Sequence, residues 1–198
     1  TEAIRKAYAS MDDAIAVQSY LGTNLAVNAC KLFLSRFAGE CKERGFFFTL
    51  NQDLFIERYY HNDDYELGLS IPGVSQARHW FRGGGENLKV DIRKPVNLPS
   101  DGELKKQTKN FWEKGRGQFK YVKLHGSYNW KSYNGSDAMV IGEEKEGSIA
   151  KEPLLRWYSE LFKTVLLWPK NKILVVIGYG FRDRHINKTI ADALRANV

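Results

Sequence analysis

The hydrophobic pattern of the chain combines helical stripes with short apolar runs. From Asp12 to Cys41, apolar residues recur every three or four positions, which predicts a helix with one core-facing side. This stripe consists of Ala26, Cys30, Phe33, Phe37 and Cys41. Residues 46–50 then form a continuous apolar run after Gly45, which is typical of a strand that is buried on both faces of a parallel sheet.

The second half of the chain repeats this combination. Residues 119–124 alternate and are predicted to form a strand, a loop follows, and residues 139–141 are predicted to form another short strand. Pro153 opens a strongly apolar helix that ends before Pro169. Strands that alternate with helices predict an α/β fold with a mostly parallel sheet.

The last predicted unit has the clearest pattern. Residues 173–177 are strongly apolar and predict a buried strand, and Gly178, Tyr179 and Gly180 then turn the chain. Asp183 stands where the N-cap of a final helix belongs. The unit therefore predicts a strand, a turn and a helix in direct succession.

A length of 198 residues predicts a single domain over residues 1–198. Residues 61–118 are the least regular part and are interpreted as an irregular insertion within that domain. No run approaches the roughly 20 apolar residues that a membrane-spanning helix needs. We therefore expect a cytoplasmic protein that does not contact a membrane.

Charge and cysteine content narrow the classes of partner. The net charge of +7 leaves open an anionic partner such as a dinucleotide, a nucleic acid or an acidic protein. The basic clusters match no nucleic-acid-binding motif, so nucleic acid is not indicated. Two cysteines are too few for a four-thiolate zinc site, and the four histidines lack metal-ligand spacing, so no metal is expected.

Three polar or glycine-containing motifs follow predicted strands: residues 49–53, 124–127 and 178–181. Open α/β sheets bind ligands in the crevice outside the carboxyl ends of their strands, so the three motifs could line one pocket. Glycines at positions 178 and 180 allow the backbone to approach a phosphate or a ribose, although a tight turn explains the Gly-x-Gly pattern better when it is taken by itself.

Two side chains in these motifs offer chemistry. Asn51 could hold a carboxamide or a ribose hydroxyl, and Asp53 could order the loop, although both are also common turn formers. Histidine ordinarily titrates near neutrality, so His125 could accept a proton from water or from a ribose hydroxyl. An isolated histidine is more often structural.

These residues carry a resemblance to a known family. The segment from Thr49 to Asp53 resembles the Thr-x-Asn-x-Asp element of the sirtuin superfamily, and His125-Gly126 resembles its catalytic His-Gly pair. Residues 123–130 and 177–187 are similar to the SIR2-like domains of bacterial anti-phage defence NADases. The resemblance implies a Rossmann-like domain, with helices on both faces of the sheet, that binds NAD and breaks its nicotinamide–ribose bond.

The family's site residues map onto this chain position by position. The resemblance implies that Asn51 and His125 are the catalytic pair. The cofactor-binding positions that it implies are Thr49, Asp53, Gly126, Gly178, Tyr179, Gly180 and Asp183.

Two departures from the family pattern shape the expected function. The two Cys-x-x-Cys pairs of the sirtuin zinc ribbon are missing, which weakens a protein deacylase interpretation and gives no reason to expect zinc. The family's first strand and glycine-rich loop are not visible before Thr49.

We therefore expect an NAD hydrolase in anti-phage defence, acting as a homo-oligomer or with a defence partner. The alternatives are a non-catalytic sensor of NAD or ADP-ribose, or a scaffold, and an NAD-dependent deacylase.

Overall fold

A computed structural model describes residues 2–20, 25–38, 45–60, 70–74, 94–112, 119–169 and 173–196. Within these residues the helices are α1 (Glu2–Tyr20), α2 (Leu25–Ala38), α3 (Phe55–Tyr60), α4 (Asp101–Thr108), α5 (Lys145–Lys151), α6 (Pro153–Leu166) and α7 (Arg184–Ala196). The strands are β1 (Phe46–Thr49), β2 (Val96–Asn97), β3 (Lys120–Lys123), β4 (Gly126–Lys131) and β5 (Asp137–Met139).

Strands β1 and β3 are parallel neighbours, with Phe46 opposite Lys120 and Thr49 opposite Lys123. Both predicted strands are therefore confirmed, and so are the α/β class and the parallel pairing. The expectation that β1 is buried on both faces is wrong, because all four of its residues are only half-buried. Since the two strands run in the same direction, their carboxyl ends lie at one rim of the sheet.

A second sheet begins immediately after that rim. Strand β4 pairs in parallel with β2 and antiparallel with β5. Residues 126–131, interpreted as part of a loop, are thus a strand, and that prediction is wrong. The hydrophobic pattern conceals β4 because its buried positions include the polar residues Ser127 and Asn129. Strand β5 confirms the predicted short strand near residue 139, although it ends at Met139.

Helix α6 supplies much of the core. It begins at Pro153, as predicted, because proline lacks the N–H that the first helical turn leaves unpaired. Leu154, Leu155 and Tyr158 are completely or almost completely buried. The Tyr158 hydroxyl donates to the carbonyl of Pro72 at 2.6 Å, which attaches residues 70–74 to this helix.

Helix α4 lies within the segment interpreted as an irregular insertion. Ser100 caps it through a capping box with Glu103, and Leu104 packs into the main core. The domain boundaries and the insertion limits remain predictions.

The amino-terminal helical prediction corresponds to two helices, α1 and α2, with residues 21–24 outside the described part of the chain. On α2, Cys30 is half-buried as a core-facing position should be. Phe33 is exposed and Leu34 is buried, so the predicted stripe is wrong at position 33. At this turn of α2 the core-facing residue is Leu34, four positions after Cys30, rather than Phe33. Ala26, Phe37 and Cys41 fall outside the residues whose side chains are described.

Residues 173–177 do not form the predicted buried strand. They lie in no strand, and their exposed fractions run from 42% at Val176 to 90% at Ile173. A strand needs a hydrogen-bonded neighbour, and none of the described strands pairs with this run.

In the described residues, no helix is long and apolar enough to cross a membrane.

Candidate functional site

Two of the three predicted motifs meet at the carboxyl rim of β1 and β3. Leu124 N–H donates to Thr49 O at 2.9 Å, and the side-chain amide of Gln52 donates to His125 O at 3.2 Å and to Val140 O at 2.5 Å. These bonds tie the loop after β1 to the turn after β3. The motif residues of both segments therefore share one rim.

Asn51 lies at the outer side of this rim. Its side chain is exposed, and its backbone N–H donates to Thr49 Oγ1 at 3.0 Å. The short bond across two residues fixes the turn through which the chain leaves β1. Thr49 therefore sets the backbone on which Asn51 is presented to solvent.

Asp53 organises the next step of the loop. Its Oδ1 accepts the Phe55 N–H at 2.9 Å and so caps the start of α3. The side chain is buried, which leaves this carboxylate engaged with the backbone rather than displayed at the surface. The Asp53 carbonyl also accepts a hydrogen bond from Lys123.

Lys123 belongs to a buried cluster that the hydrophobic pattern did not reveal. Its ammonium group bonds Glu57 Oε1 at 2.6 Å and Ser127 Oγ at 3.0 Å, and its side chain is completely buried. Burial raises the pKa of Glu57, and the adjacent Lys123 opposes that rise. We call Lys123, Glu57 and Ser127 the lysine cluster. The cluster joins α3, β3 and β4 immediately behind residues 50–54, the loop between β1 and α3 that we call the Asn51 loop.

His125 follows β3 and is only 4% exposed. Burial lowers its pKa to about 4, and although the nearby Asp183 favours the charged ring, Lys145 and His185 oppose it. Its Nε2 lies 3.2 Å from Nε2 of His185. At neutral pH the ring is therefore uncharged and able to accept a proton.

Asp183 and His185, which follow the third motif, lie at the same place. Asp183 directly precedes α7, where its carbonyl accepts the Asn187 N–H at 3.0 Å. Its carboxylate forms an ion pair with Lys145 at the start of α5. Burial lowers the pKa of His185 as well. We call His125, Asp183 and His185 the histidine cluster, whose candidate metal-ligand atoms all lie within 4.8 Å of one another.

The turn at residues 178–181 is held by its own hydrogen bonds. The Tyr179 hydroxyl lies 2.8 Å from Asn187 Oδ1, and Asn187 Nδ2 donates to the carbonyl of Phe181 at 2.7 Å. Phe181 has a φ of 53°, a strained conformation for a bulky residue. Gly178 has a φ of 62°, whereas Gly180 is not in the left-handed region. This turn lies beside Asp183, but its glycines are exposed.

Gly126 is required by its backbone conformation and by a close neighbour. Its φ is 72°, and a Cβ at this position would lie 1.9 Å from the carbonyl oxygen of Ala138. The glycine therefore permits β4 and β5 to approach closely and turns the chain directly after His125.

Helix α1 packs against the same region from the outside. The rings of Tyr8 and Tyr128 stack with centroids 5.9 Å apart, and the Tyr128 hydroxyl donates to the buried carboxylate of Asp12 at 2.7 Å. The raised pKa of Tyr8, due first to burial and then to Asp53, reflects the proximity of α1 to the Asn51 loop.

The sequence motifs gave no role to Gln52, Glu57, Lys123, Lys145 or His185. Gln52 lies between Asn51 and Asp53, both of which were assigned to the site, and His185 lies two residues after Asp183. The lysine at the end of the buried strand β3 was the available signal for the lysine cluster. Its partner could not be chosen from the sequence, because Glu57 is 66 residues away.

Comparison with protein-family models decides the affiliation of the chain. The model of the SIR2-like domain matches residues 45–197. The chain belongs to the SIR2-like family. The match starts immediately before β1 and includes all the candidate site residues, while α1 and α2 precede it. Searches of curated proteins and of solved structures found no match.

The family affiliation confirms a Rossmann-like α/β fold for this SIR2-like domain. SIR2-like domains bind NAD, and the family includes NAD-dependent enzymes. The match covers the rim of β1 and β3, where these polar groups lie. The individual roles of these residues are a matter for proposal.

Proposed function

We propose that this SIR2-like domain hydrolyses NAD to nicotinamide and ADP-ribose. The observation that carries the proposal is the state of His125, a buried, uncharged imidazole at the rim to which the Asn51 loop is hydrogen-bonded. An uncharged imidazole has a lone pair that can take a proton from an attacking nucleophile, and a pKa of about 4 makes it a weaker base than an ordinary histidine.

The reaction balances with water as the second reactant. The bond between the nicotinamide nitrogen and the ribose carbon breaks, and its electron pair goes to the nicotinamide ring, which becomes neutral. Positive charge builds on the ribose, and the oxygen of water forms the new bond to that carbon. His125 accepts the proton that this water releases, or the proton of a ribose hydroxyl, as its base.

Asn51 is assigned to orient the nicotinamide or the attacking water. Its amide offers both a donor and an acceptor without charge, and its side chain is exposed at the rim. Asp53 and Gln52 support this assignment indirectly, since Asp53 caps α3 and Gln52 bonds the carbonyl of His125. Both are positioning residues in this proposal, because their polar groups are occupied by the protein backbone.

The remaining predicted positions are assigned to binding the cofactor as substrate. Thr49 and Gly126 shape the backbone on either side of the rim, and the segment of Gly178, Tyr179, Gly180 and Asp183 would lie along the adenosine half. The available groups fit such a ligand: neutral amide and imidazole groups suit the carboxamide and hydroxyls, and the ammonium of Lys145 suits phosphate. No metal takes part in this reaction.

We place this activity in anti-phage defence by depletion of cellular NAD, with a cytoplasmic homo-oligomer or a defence partner as the working form. This setting rests on the likeness of residues 123–130 and 177–187 to defence NADases. It is tested by following NAD concentration in phage-infected bacteria that carry the full-length protein. An unchanged NAD concentration throughout infection would contradict the setting while leaving the reaction itself open to direct assay.

The reaction is tested by incubating full-length protein with NAD and measuring free nicotinamide, with and without an acetylated peptide. We expect release without peptide, and we expect Asn51→Ala and His125→Ala to reduce it by about 100-fold or more, the usual contribution of a positioned acid or base. Asn97→Ala, an exposed asparagine on β2, is the matched control and should retain full turnover.

The alternative functions give different outcomes in the same assay. Release only in the presence of the peptide would identify a deacylase, and binding of NAD without release would identify a sensor. Full turnover by both the Asn51 and His125 variants would remove the assigned roles even if the protein hydrolyses NAD.

A further inference from the structure

The histidine cluster has the composition of a transition-metal site. His125 and His185 contribute imidazole nitrogens and Asp183 contributes a carboxylate oxygen, all within 4.8 Å of one another. Two imidazoles and one carboxylate suit Zn²⁺ and its neighbours in the first transition row, whereas Mg²⁺ and Ca²⁺ prefer oxygen ligands alone.

The distance between the two imidazoles fits a shared ion. Zinc binds histidine nitrogen at about 2.0–2.1 Å in a tetrahedral arrangement, which separates two such nitrogens by about 3.3 Å. The two Nε2 atoms lie 3.2 Å apart without any rearrangement. An imidazole in its uncharged form presents a nitrogen lone pair to such an ion.

We propose that the histidine cluster binds a divalent ion of the zinc class, with His125 Nε2, His185 Nε2 and the Asp183 carboxylate as ligands. Three protein ligands would leave one position of a tetrahedral ion for water. An ion here takes the nitrogen that the proposed hydrolysis needs as its base, so it inhibits the enzyme. This inhibitory consequence, unlike the binding itself, rests on the proposed function.

Lys145 makes the site distinctive. Its ammonium group forms an ion pair with Asp183 and would lie close to the bound ion. It therefore opposes metal binding twice, by competing for the carboxylate and by like-charge repulsion. Removal of Lys145 should strengthen binding, which is an effect that adventitious binding to surface carboxylates would not show.

The experiment uses full-length protein without a histidine tag, freed of metal by a chelator that is then removed. Co²⁺ is the probe, because its visible absorption reports on ligands and geometry, and Zn²⁺ is added afterwards to displace it. We expect one Co²⁺ per chain, displaced by Zn²⁺ and unaffected by Mg²⁺. His185→Ala and Asp183→Asn should each weaken Co²⁺ binding by about 100-fold or more, at least the loss that outer-shell changes cause.

Two further variants keep the test decisive if the His185 variant folds poorly. Lys145→Met should tighten Co²⁺ binding by about tenfold, equivalent to 1.4 kcal/mol. Asp192→Asn removes an exposed carboxylate from the same helix and should leave the affinity unchanged. The absence of a Co²⁺ absorption band, or equal affinities for all these variants, would overturn the site.

Nicotinamide release separates this proposal from the proposed function. Loss of turnover as Zn²⁺ fills the site supports both. Zinc binding that leaves NAD hydrolysis unchanged contradicts inhibition and the assigned role of His125, while it supports the metal site. A protein that hydrolyses NAD but gives no Co²⁺ signal overturns the metal site alone.

Discussion

The lysine cluster and the histidine cluster flank the carboxyl end of β3. Lys123 forms a buried ion pair in the first cluster, whereas the imidazole rings of the second are uncharged. In the lysine cluster, the ammonium of Lys123 bonds Glu57, Ser127 and the carbonyl of Asp53 inside the core. In the histidine cluster, burial favours uncharged rings, and His185 and Asp183 remain partly exposed. Lys123 and His125, one from each cluster, are only two residues apart in the sequence.

In our proposals this difference separates a supporting role, that of the lysine cluster, from a chemical one, that of the histidine cluster. The ammonium of Lys123 already donates its hydrogen bonds to groups of the protein. It therefore holds the Asn51 loop against β3 and β4 and offers little to a ligand. The histidine cluster has ring nitrogens that can exchange a proton or bind an ion. Three variants test this contrast, and they are taken in order of their expected effect on stability.

Lys123→Met should cause the largest loss of stability. It leaves the Glu57 carboxylate buried without its ammonium partner, and breaking a buried ion pair in this way costs about 3–5 kcal/mol. The measurement is urea unfolding followed by circular dichroism. Its control is Lys131→Met, which removes a partly exposed ion pair with Asp137 and should cost about 0–1 kcal/mol. Equal losses would show that the lysine cluster has no special structural role.

Gly126→Ala tests the turn that separates the two clusters. A left-handed conformation costs a non-glycine residue about 1–2 kcal/mol, and crowding of a packed region adds about 1–3 kcal/mol, so we expect a total of about 2–5 kcal/mol. Gly178→Ala is the matched control, because its φ is also positive but its Cβ would meet nothing within 4 Å among the described residues. It should lose only the conformational part. Urea unfolding of both variants measures the difference, and equal losses would contradict the close approach to Ala138.

Gln52→Leu tests the connection between the Asn51 loop and His125. It removes donors to the carbonyls of His125 and Val140, and an unpaired buried acceptor costs about 1–3 kcal/mol. The backbone N–H of Val140 still donates to His125 O, so the loss falls mainly on Val140 O. We expect reduced nicotinamide release as well, because the loop that carries Asn51 loses this tie. Gln107→Leu, an exposed position on α4, should change neither stability nor turnover.

The candidate site was predictable where its residues lie in short contiguous motifs. His125 and Asp183 could be selected because each directly follows or precedes a predicted element, and the structure brings them together in the histidine cluster. The Lys123–Glu57 ion pair could not be predicted, because any of several acidic residues could have reached Lys123. The inward position of Gln52 also depends on β5, which supplies the Val140 carbonyl just beyond its end.

Local patterns predicted the fold elements unevenly for the same reason. Helix α6 carries its own signals, an initial proline and an apolar face, and it forms where the sequence indicates. Residues 173–177 have equally strong strand composition, yet composition supplies only one of the two backbones that a ladder needs. Strand β4 is the converse case, because its polar residues hide a strand for which β2 and β5 supply the partners.

The sequence by itself determined the alternation of helices and strands, the motifs at the ends of β1 and β3, and the resemblance that the SIR2-like match confirmed. Tertiary structure decided which strands have partners, which charges are paired in the core and which imidazoles face each other. Periodicity and capping act within a few residues and are readable along the chain. Hydrogen-bonded ladders and the burial of His125 join segments tens of residues apart, and their energies depend on the distances that only folding sets.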